Sequence, residues 1–424
     1  MQIMVILIIL LVAIGLPMSF SVLTGSVWFF ISSGMPSNLL IQRMVMAVGD
    51  SFSMLAIPFF MLAGNIMNHG GIAKRIFRFA DAMVGHIPGG LGHVNVFASV
   101  VFAGMSGSAI ADTGGLGAIE LKAMHEAGFD DEFSAGITGA SSCLGPIIPP
   151  STGMVLYAMM AEVSVARMFV AGIIPGILMA AIMCGIVYIT ARKRRYPVSV
   201  KTTAREKWKA FRDALPSLLS PVILLSGILF GIFSATEASV VCCIYSLILG
   251  LAYREIRLKD LPGLVKDTLK SCSMVMTLVF CSMVLATVLN FQQIPQTMAA
   301  FFVATVHSRL GMVLVIMLLL MAAGMVLDVT PASLILIPIL LPVVRSFGIN
   351  YIQFGVASSV LFVMGLLTPP VGNILYVLND YTKIPVMRIA AAMIPYVVGF
   401  LILAFLLFMI PELSLFLPNL IFGS

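Results

Sequence analysis

Two Pro-Pro stretches lie inside uncharged runs of the sequence. The first is Gly145-Pro146-Ile147-Ile148-Pro149-Pro150-Ser151-Thr152-Gly153, inside the uncharged run 133–161. The second, which matches it, is Gly365-Leu366-Leu367-Thr368-Pro369-Pro370-Val371-Gly372-Asn373, inside the uncharged run 346–379. Proline has no amide hydrogen and clashes with the preceding helical turn, so a Pro-Pro pair unwinds a helix. Unwinding frees carbonyl oxygens and exposes the ends of half-helices, which bind cations or carboxylates in an apolar environment. The two stretches predict two broken helices that form a binding cleft; two simple kinks are the alternative.

The composition places these stretches in a membrane. Of 424 residues, 60% are apolar and only 10% are charged, whereas a soluble domain is about 25% charged. A bilayer span needs about 20 apolar residues, and uncharged runs such as 1–42, 82–111 and 271–308 exceed that length. We therefore expect an all-α polytopic membrane protein with roughly ten or more crossings. This composition excludes a soluble enzyme, a disordered tail and a disulfide-stapled secreted domain.

The positive charge is concentrated in one loop, residues 192–213. Nine of the 24 Lys and Arg residues lie there: Arg192, Lys193, Arg194, Arg195, Lys201, Arg205, Lys207, Lys209 and Arg212. Cytoplasmic loops of membrane proteins collect Lys and Arg, so we interpret this loop as cytoplasmic rather than as a nucleic-acid site. The first positive residue is Arg43 and none follows Glu412, which predicts both termini on the outside, periplasmic in a Gram-negative cell.

The basic loop divides the chain into two similar halves, 1–191 and 214–424. Several matches recur 220 residues later: Ala103-Gly104-Met105 as Ala323-Gly324-Met325, Gly145 as Gly365, Pro149-Pro150 as Pro369-Pro370, and Ile174-Pro175 as Ile394-Pro395. Paired prolines and glycines in one register are far less common by chance than matching Leu or Ala. Because the first half ends at the cytoplasmic loop and the second begins there, the halves run in opposite directions. This predicts the inverted repeats found in many secondary transporters.

Each half also contains a segment that turns back on itself. Residues 104–115 are rich in Gly, Ser and Thr, and only the short apolar stretches 94–103 and 116–119 flank them. The counterpart, 324–333, lies between 310–323 and 334–344. We expect re-entrant hairpins at about 94–119 and 310–344, since such backbone is tolerated only where it is buried in protein or lines a cavity. Surface loops between ordinary spans are the alternative.

Few ionisable groups lie within the spans. Burying a charge in a membrane is costly, so Asp112 and Asp328, near the hairpin tips, are candidates either to ligate Na⁺ or to cap a helix. Glu237 follows a Gly/Ser break and is predicted to cap a helix start. The cysteines lack CxxC spacing and the histidines lack HExxH spacing, so we expect buried free thiols and no transition-metal site. The sequence has no Walker A segment, hence no evident ATP site.

Two segments have the character of interfacial helices. In residues 72–79, Lys74, Arg75 and Arg78 are interspersed with apolar residues, which predicts an amphipathic helix at the membrane surface. Trp208, within the basic loop, predicts a second one.

At these motifs the sequence resembles the large membrane permease of the TRAP (tripartite ATP-independent periplasmic) transporters. The matching segments are Gly-Met-Ser-Gly-Ser-Ala-Ile-Ala-Asp-Thr at 104–113, Gly-Pro-Ile-Ile-Pro-Pro-Ser at 145–151, Gly-x-Phe-x-x-Thr-Glu at 231–237, Gly-Met-Val-Leu-Asp at 324–328 and Thr-Pro-Pro-Val-Gly at 368–372. The resemblance implies an elevator-type carrier of the bacterial inner membrane, driven by Na⁺ rather than ATP. It also implies a small four-helix membrane subunit, here a separate chain, and a soluble periplasmic substrate-binding protein. Leu366-Leu367 departs from the polar or small residues frequent in the family.

The resemblance also assigns residues. The first Na⁺ site would use Ser106, Ser108 and the carbonyl of Gly145, with Pro149 and Ser151 nearby; the second would use Gly324, Asp328, Thr368, Gly372 and Asn373. The substrate carboxylate would lie between them, with Asp112, Thr113, Ser142 and Thr330 as candidate contacts. C4-dicarboxylates, sialic acid and similar sugar acids are all compatible.

Two other functions compete with this interpretation. One is a self-sufficient carrier or exchanger for organic anions, coupled to Na⁺ or H⁺, that needs no binding protein. The other, an enzyme acting on lipid, would need clustered acids or a His/Asp set at one interface, and the sequence offers neither. We therefore expect a transporter and not an enzyme.

Overall fold

The computed structural model describes residues 2–49, 52–196, 198 and 202–423; Lys201 of the basic loop lies outside the described residues. Within them the regular structure is helical, without strands. The helices before the basic loop are α1 Gln2–Ala13, α2 Met18–Ser32, α3 Ser37–Gly49, α4 Ala56–His69, α5 Ile72–Val84, α6 Gly90–Ser106, α7 Ala109–Gly114, α8 Leu116–Glu126, α9 Asp131–Ser142, α10 Thr152–Met160 and α11 Val165–Arg194. Those after it are α12 Ala204–Leu229, α13 Ala235–Ala252, α14 Leu261–Phe291, α15 Ile294–Thr305, α16 Arg309–Val326, α17 Val329–Ser346, α18 Tyr351–Gly365, α19 Asn373–Thr382, α20 Val386–Met409 and α21 Glu412–Phe422.

The helices repeat in the register that the sequence predicts. The starts of α6, α7, α9, α10 and α11 recur 220 residues later, to within one residue, as the starts of α16, α17, α18, α19 and α20. Two copies of one helical pattern therefore make up this part of the chain.

Each predicted hairpin segment is a helix–turn–helix in the structure, while its re-entrant course through a membrane stays a prediction. In the first, α6 turns at Gly107-Ser108 into α7 and α8. In the second, α16 and α17 have 18 residues each, about 27 Å of helix. The arms of this hairpin are therefore longer than the apolar stretches 310–323 and 334–344, and each is long enough to cross a membrane. The helix continues through Pro331 because a proline in the first turn removes no needed donor.

Seven of the described helices are long and apolar enough to cross a membrane: α11, α12, α13, α14 with the short turn before it, α16, α17 and α20. Six shorter apolar helices accompany them: α1, α2, α6, α15, α18 and α21. The protein is thus a multi-pass membrane protein, while the count of ten or more crossings stays a prediction.

The base of the first hairpin lies at the same end of the molecule as the basic loop. Arg194, where α11 meets that loop, donates to Asp130 just after the hairpin, with Nη1 and Oδ2 2.6 Å apart. At the start of α20, Arg388 lies 3.7 Å from Glu132. The first hairpin, the basic loop and the start of α20 therefore share one end.

The base of the second hairpin lies at the opposite end of α20. Arg309, at the start of α16, donates to the carbonyl of Phe408 near the end of α20, at 3.4 Å. Gln353, just after the second hairpin, donates to the same carbonyl at 3.0 Å. Since the 24 residues of α20 span about 36 Å, the two hairpins enter the molecule from opposite ends.

A second apolar core is centred on helices outside the hairpins, although Ile335 and Ile339 of α17 pack against it. Met4 of α1 and Phe29 and Phe30 of α2 pack with Val284 and Leu285 of α14. These helices belong to the segments that we expect to form a scaffold, 1–68 and 214–290.

Several local predictions are confirmed. Ser234 and Glu237 form a capping box at the start of α13, where the Glu237 carboxylate accepts from the Ser234 amide at 2.8 Å. In α5, Ile72 and Ile76 are buried while Lys74 and Arg78 are exposed, the amphipathic pattern predicted for 72–79. The six cysteines are free thiols; five are buried, and Cys184 is half-buried.

Candidate ion and substrate site

Both Pro-Pro stretches interrupt their helices, as predicted. In the first break, residues 143–151 separate α9 from α10, and in the second, residues 366–372 separate α18 from α19. Each break contains a cis peptide bond between its two prolines. Ser151 begins α10: its hydroxyl donates to the carbonyl of Pro146 at 2.8 Å and accepts from the amide of Met154 at 3.2 Å.

The tip of the first hairpin packs directly on the first break. Gly107 has φ +61°, and a Cβ there would lie 2.8 Å from the carbonyl oxygen of Pro150. Thr152 donates to the Gly107 carbonyl at 3.4 Å. A Cβ on Gly145 would lie 3.1 Å from the carbonyl carbon of Ser108. The positive φ and close backbone contact at Gly107 require glycine there, and this approach brings the predicted residues of the first Na⁺ site together.

Asp112 lies beneath this tip, and one of its two carboxylate oxygens accepts no hydrogen bond from the described residues. Ser106 donates its hydroxyl hydrogen to Oδ1 of Asp112. Oδ2 is buried and has no hydrogen-bond partner among the described residues, and it is 3.0 Å from where a Cβ on Gly145 would be. Within the described chain, no backbone amide donates to the carbonyls of Gly145 or Pro149. Such unpaired oxygens are costly when buried, and they fit a hard cation.

The second hairpin meets the second break in an equivalent way. A Cβ on Gly365 would overlap the backbone of Gly324, so only glycine fits there. The amide of Val371 donates to the carbonyl of Met325 at 3.2 Å. At the tip, Asp328 begins α17 and accepts from the amide of Val329 at 2.7 Å, so the helix-capping role is confirmed.

Thr368 and Gly372 lie along the same break. The Thr368 hydroxyl donates to the Gly365 carbonyl at 3.0 Å, and Gly372, with φ +47°, precedes Asn373 at the start of α19. Gly324, Thr368 and Gly372 of the predicted second set therefore meet at this break.

The two tips face one small cleft. Its walls come from the first tip, the first break, the second tip and one residue of the second break: Gly107, Ser108, Ala109, Ile110, Pro146, Thr152, Gly153, Asp328, Val329, Thr330 and Leu366. Leu366 gives the cleft an apolar wall.

Of the four residues predicted to contact substrate, only Thr330 lines this cleft. Asp112, Thr113 and Ser142 are buried beneath it. The hydroxyls of Thr113 and Ser142 donate to helix carbonyls, of Ala109 at 2.8 Å and of Thr138 at 2.7 Å. A substrate role for these three stays a prediction.

The sequence analysis missed Glu120. This residue is 1% exposed on α8, and its Oε1 has no hydrogen-bond partner among the described residues. Nearby Lys122 and Glu126 gave the segment an interfacial character. The helical period was the available signal, because Leu116, Glu120 and Met124 recur every four residues and share one buried face. The described residues contain no group of three or more His, Cys, Asp or Glu able to hold a metal ion.

The architecture defines the class of protein. The fold is similar to that of the YdaH transporter of Alcanivorax borkumensis, with a TM-score of 0.67 over 88% of this chain and 87% of that one, at 15% identity. Together with the seven apolar helices, this shows an all-α membrane transporter fold.

The sequence defines the family. The family model described as "Tripartite ATP-independent periplasmic transporter, DctM component" matches residues 5–413, and the chain belongs to this family. It is 38% identical over 413 residues to the sialic acid TRAP transporter large permease protein SiaM of Vibrio cholerae, covering 96% of each chain. It is 34% identical over 431 residues to the C4-dicarboxylate TRAP transporter large permease protein DctM of Rhodobacter capsulatus, covering 98% of each.

Proposed function

We propose that this chain is the large transmembrane subunit of a Na⁺-coupled secondary transporter of the bacterial inner membrane. It imports a small organic acid, a C4-dicarboxylate, sialic acid or a similar sugar acid, delivered by a periplasmic binding protein. A small four-helix membrane subunit, as a separate chain, completes the complex. The relatives named for sialic acid and for C4-dicarboxylates differ little in their identity to this chain, so similarity does not choose between these acids.

The observation that carries the proposal is the pairing of each hairpin tip with the break of its own half. In the first pair, Ser106, Ser108 and the free Gly145 carbonyl offer oxygen ligands beside Asp112. In the second, Asp328 and Thr368 offer a carboxylate and a hydroxyl. Na⁺ needs several oxygens but little net charge, which unwound backbone and hydroxyl groups supply.

The same cleft suits an anionic substrate. The N-terminus of α10 opens onto it at Thr152, whereas that of α17 is already capped by the Asp328 carboxylate. Helix N-termini carry unpaired amide hydrogens and partial positive charge, so they bind carboxylates. Bound Na⁺ would add positive charge beside the substrate, which links uptake of the acid to the Na⁺ gradient.

Transport then requires the cleft to face each side of the membrane in turn. Repeats that enter from opposite ends form such a site at their interface, and one bundle moves against the other. We propose that the bundle carrying both hairpins and both breaks slides against a scaffold that includes helices within 1–68 and 214–290. The small subunit would cover a flank of that scaffold.

The test is uptake by proteoliposomes that contain both membrane subunits, with the binding protein and its radiolabelled acid outside. Accumulation should require an inward Na⁺ gradient and be unaffected by ATP. Full-rate accumulation with only a proton gradient would contradict Na⁺ coupling. Full activity of this chain alone, without binding protein or small subunit, would establish the self-sufficient carrier instead.

A further inference from the structure

The transport site leaves the start of α12 unexplained. Three basic residues, which we call the α12 basic stripe, are spaced four and then three residues apart: Arg205, Lys209 and Arg212. This spacing places them on one helix face, and all three are exposed. No described carboxylate lies within 4.0 Å of any of them, since the ion pairs present involve other residues.

Two acidic residues lie on this helix near the stripe: Asp213 forms no ion pair with it among the described residues, and Glu206 bonds to the helix start. Glu206 accepts from both the amide and the hydroxyl of Thr203, at 2.7 and 2.9 Å. These bonds direct the Glu206 carboxylate to the helix start. The positive charge of the stripe therefore remains available to an anion from outside the chain.

An exposed apolar stripe continues from the basic one along the same helix. Its members, the α12 apolar stripe, are Trp208, Leu215, Leu219 and Val222, exposed by 67, 37, 39 and 57%. Spacings of seven, four and three residues keep them on one face. The stripe is about 21 Å long, comparable to a lipid acyl chain, and the opposite face, with Ala214, Ser217 and Leu224, is buried in the protein.

The N-terminal end of this surface is fixed by contacts with α5. Phe211 packs between Trp208 and Phe79 of α5, with ring centroids 5.6 and 5.8 Å apart. Thr202 donates to the carbonyl of Ala82 at 2.7 Å, which ties the helix start to α5. Tryptophan side chains that contact both apolar groups and water are typical of the membrane–water interface. Because Trp208 lies between Arg205 and Lys209, we place the basic stripe at headgroup depth.

We propose that the outer face of α12 is a binding site for an anionic phospholipid. The Arg205, Lys209 and Arg212 side chains hold the phosphate headgroup, Trp208 lies at the glycerol level, and an acyl chain runs along Leu215, Leu219 and Val222. Charge complementarity and the continuity of the two stripes select a lipid with a net negative headgroup over a zwitterionic one.

The chain contains only two tryptophans, so replacing Trp28 by phenylalanine leaves Trp208 as the sole reporter. This variant is reconstituted into phosphatidylcholine nanodiscs containing 10% of either brominated phosphatidylglycerol or brominated phosphatidylcholine. Bromine quenches tryptophan fluorescence on contact. We expect brominated phosphatidylglycerol to quench Trp208 at least twofold more, and 1 M NaCl to remove most of the excess.

Charge variants locate the site. The triple variant Arg205→Gln, Lys209→Gln, Arg212→Gln should lose the excess quenching. A control triple, Lys259→Gln, Lys266→Gln, Lys270→Gln, removes the same charge from another exposed surface and should keep it. Equal quenching by the two lipids in the Trp28→Phe protein, whose basic stripe is intact, overturns the proposal. Excess quenching by brominated phosphatidylglycerol that persists in the first triple variant overturns it as well. Absence of quenching by either lipid would show that lipid does not reach Trp208, and it overturns the proposal too.

Discussion

The two hairpins have the same backbone plan and different side-chain chemistry. Gly104 and Gly145 of the first half and their counterparts Gly324 and Gly365 let each tip approach its own break. Side chains behind the tips differ, because Asp112 and Glu120 are replaced by Ala332 and Leu340. Close backbone contact is therefore the shared requirement, whereas the fully buried carboxylates among the described residues, Asp112 and Glu120, both lie in the first half.

The polar network that supports the first hairpin shows the same contrast. Asn95 donates to Thr138 at 2.8 Å and accepts from Ser141 at 2.6 Å, all fully buried. The positions equivalent to Asn95 and Ser141 are Val315 and Leu361. Fully satisfied buried networks fix one arrangement, so we infer that the first hairpin is held more rigidly from behind than the second.

The largest expected effect tests the shared backbone. Gly365→Ala should lower the free energy of unfolding by about 3 kcal/mol or more, because the new methyl group overlaps the Gly324 backbone. Gly145→Ala should cost about 1 kcal/mol, since the nearest atoms lie 3.0–3.2 Å from the new Cβ. Thermal unfolding of the purified variants measures both. Equal losses would contradict the tighter contact in the second half.

The next effect concerns the charge at the second tip. Asp328→Asn keeps an oxygen to cap α17 but removes the negative charge, so the melting temperature should stay the same. The Na⁺ concentration for half-maximal uptake should rise about 30-fold, equivalent to about 2 kcal/mol. Asn373→Ala, which removes a neutral predicted ligand of the same site, is the matched comparison and should raise it less. An unchanged Na⁺ titration for Asp328→Asn would remove this residue from the site.

At the first tip we expect a smaller shift, because hydroxyl ligands are neutral. Ser106→Ala with Ser108→Ala should raise the Na⁺ requirement about tenfold, or about 1.4 kcal/mol, and leave the protein folded. Ser134→Ala is the control, since its hydroxyl bonds to the Asp130 carbonyl away from the tip. If control and double variant give the same Na⁺ titration, these two serines are not ligands.

The smallest effect concerns the buried acid behind the first hairpin. Glu120→Gln replaces a buried carboxylate by a neutral group of similar shape, which removes the cost of burying a charge. The free energy of unfolding should rise by about 1 kcal/mol, measured by thermal unfolding, with uptake retained. A fall in stability would mean that Glu120 makes an interaction its neutral analogue cannot replace.

The sequence predicted the features that depend on backbone chemistry. Pro149-Pro150 and Pro369-Pro370 cannot continue a helix, and glycines at equal spacing mark the close contacts. The two helix breaks, the internal repeat and the positions of the hairpin tips therefore followed from residue type. The length of the helices at the second hairpin did not follow from residue type, because Pro331 in the first turn of α17 does not end that helix. Burial of Glu120 was indicated only by the four-residue period that it shares with Leu116 and Met124, and the nearby charges of Lys122 and Glu126 obscured that period.

The central claim is that the two hairpins enter from opposite sides of the membrane, and one labelling experiment tests it. Glu126 and Ser346 are equivalent, exposed positions at the two hairpin bases. Each is replaced by cysteine in a background without the six native cysteines, and intact cells and inside-out vesicles are treated with a membrane-impermeant thiol reagent. The account predicts that Ser346→Cys reacts from outside and Glu126→Cys only in inside-out vesicles. Reaction of both positions from the same side would contradict it.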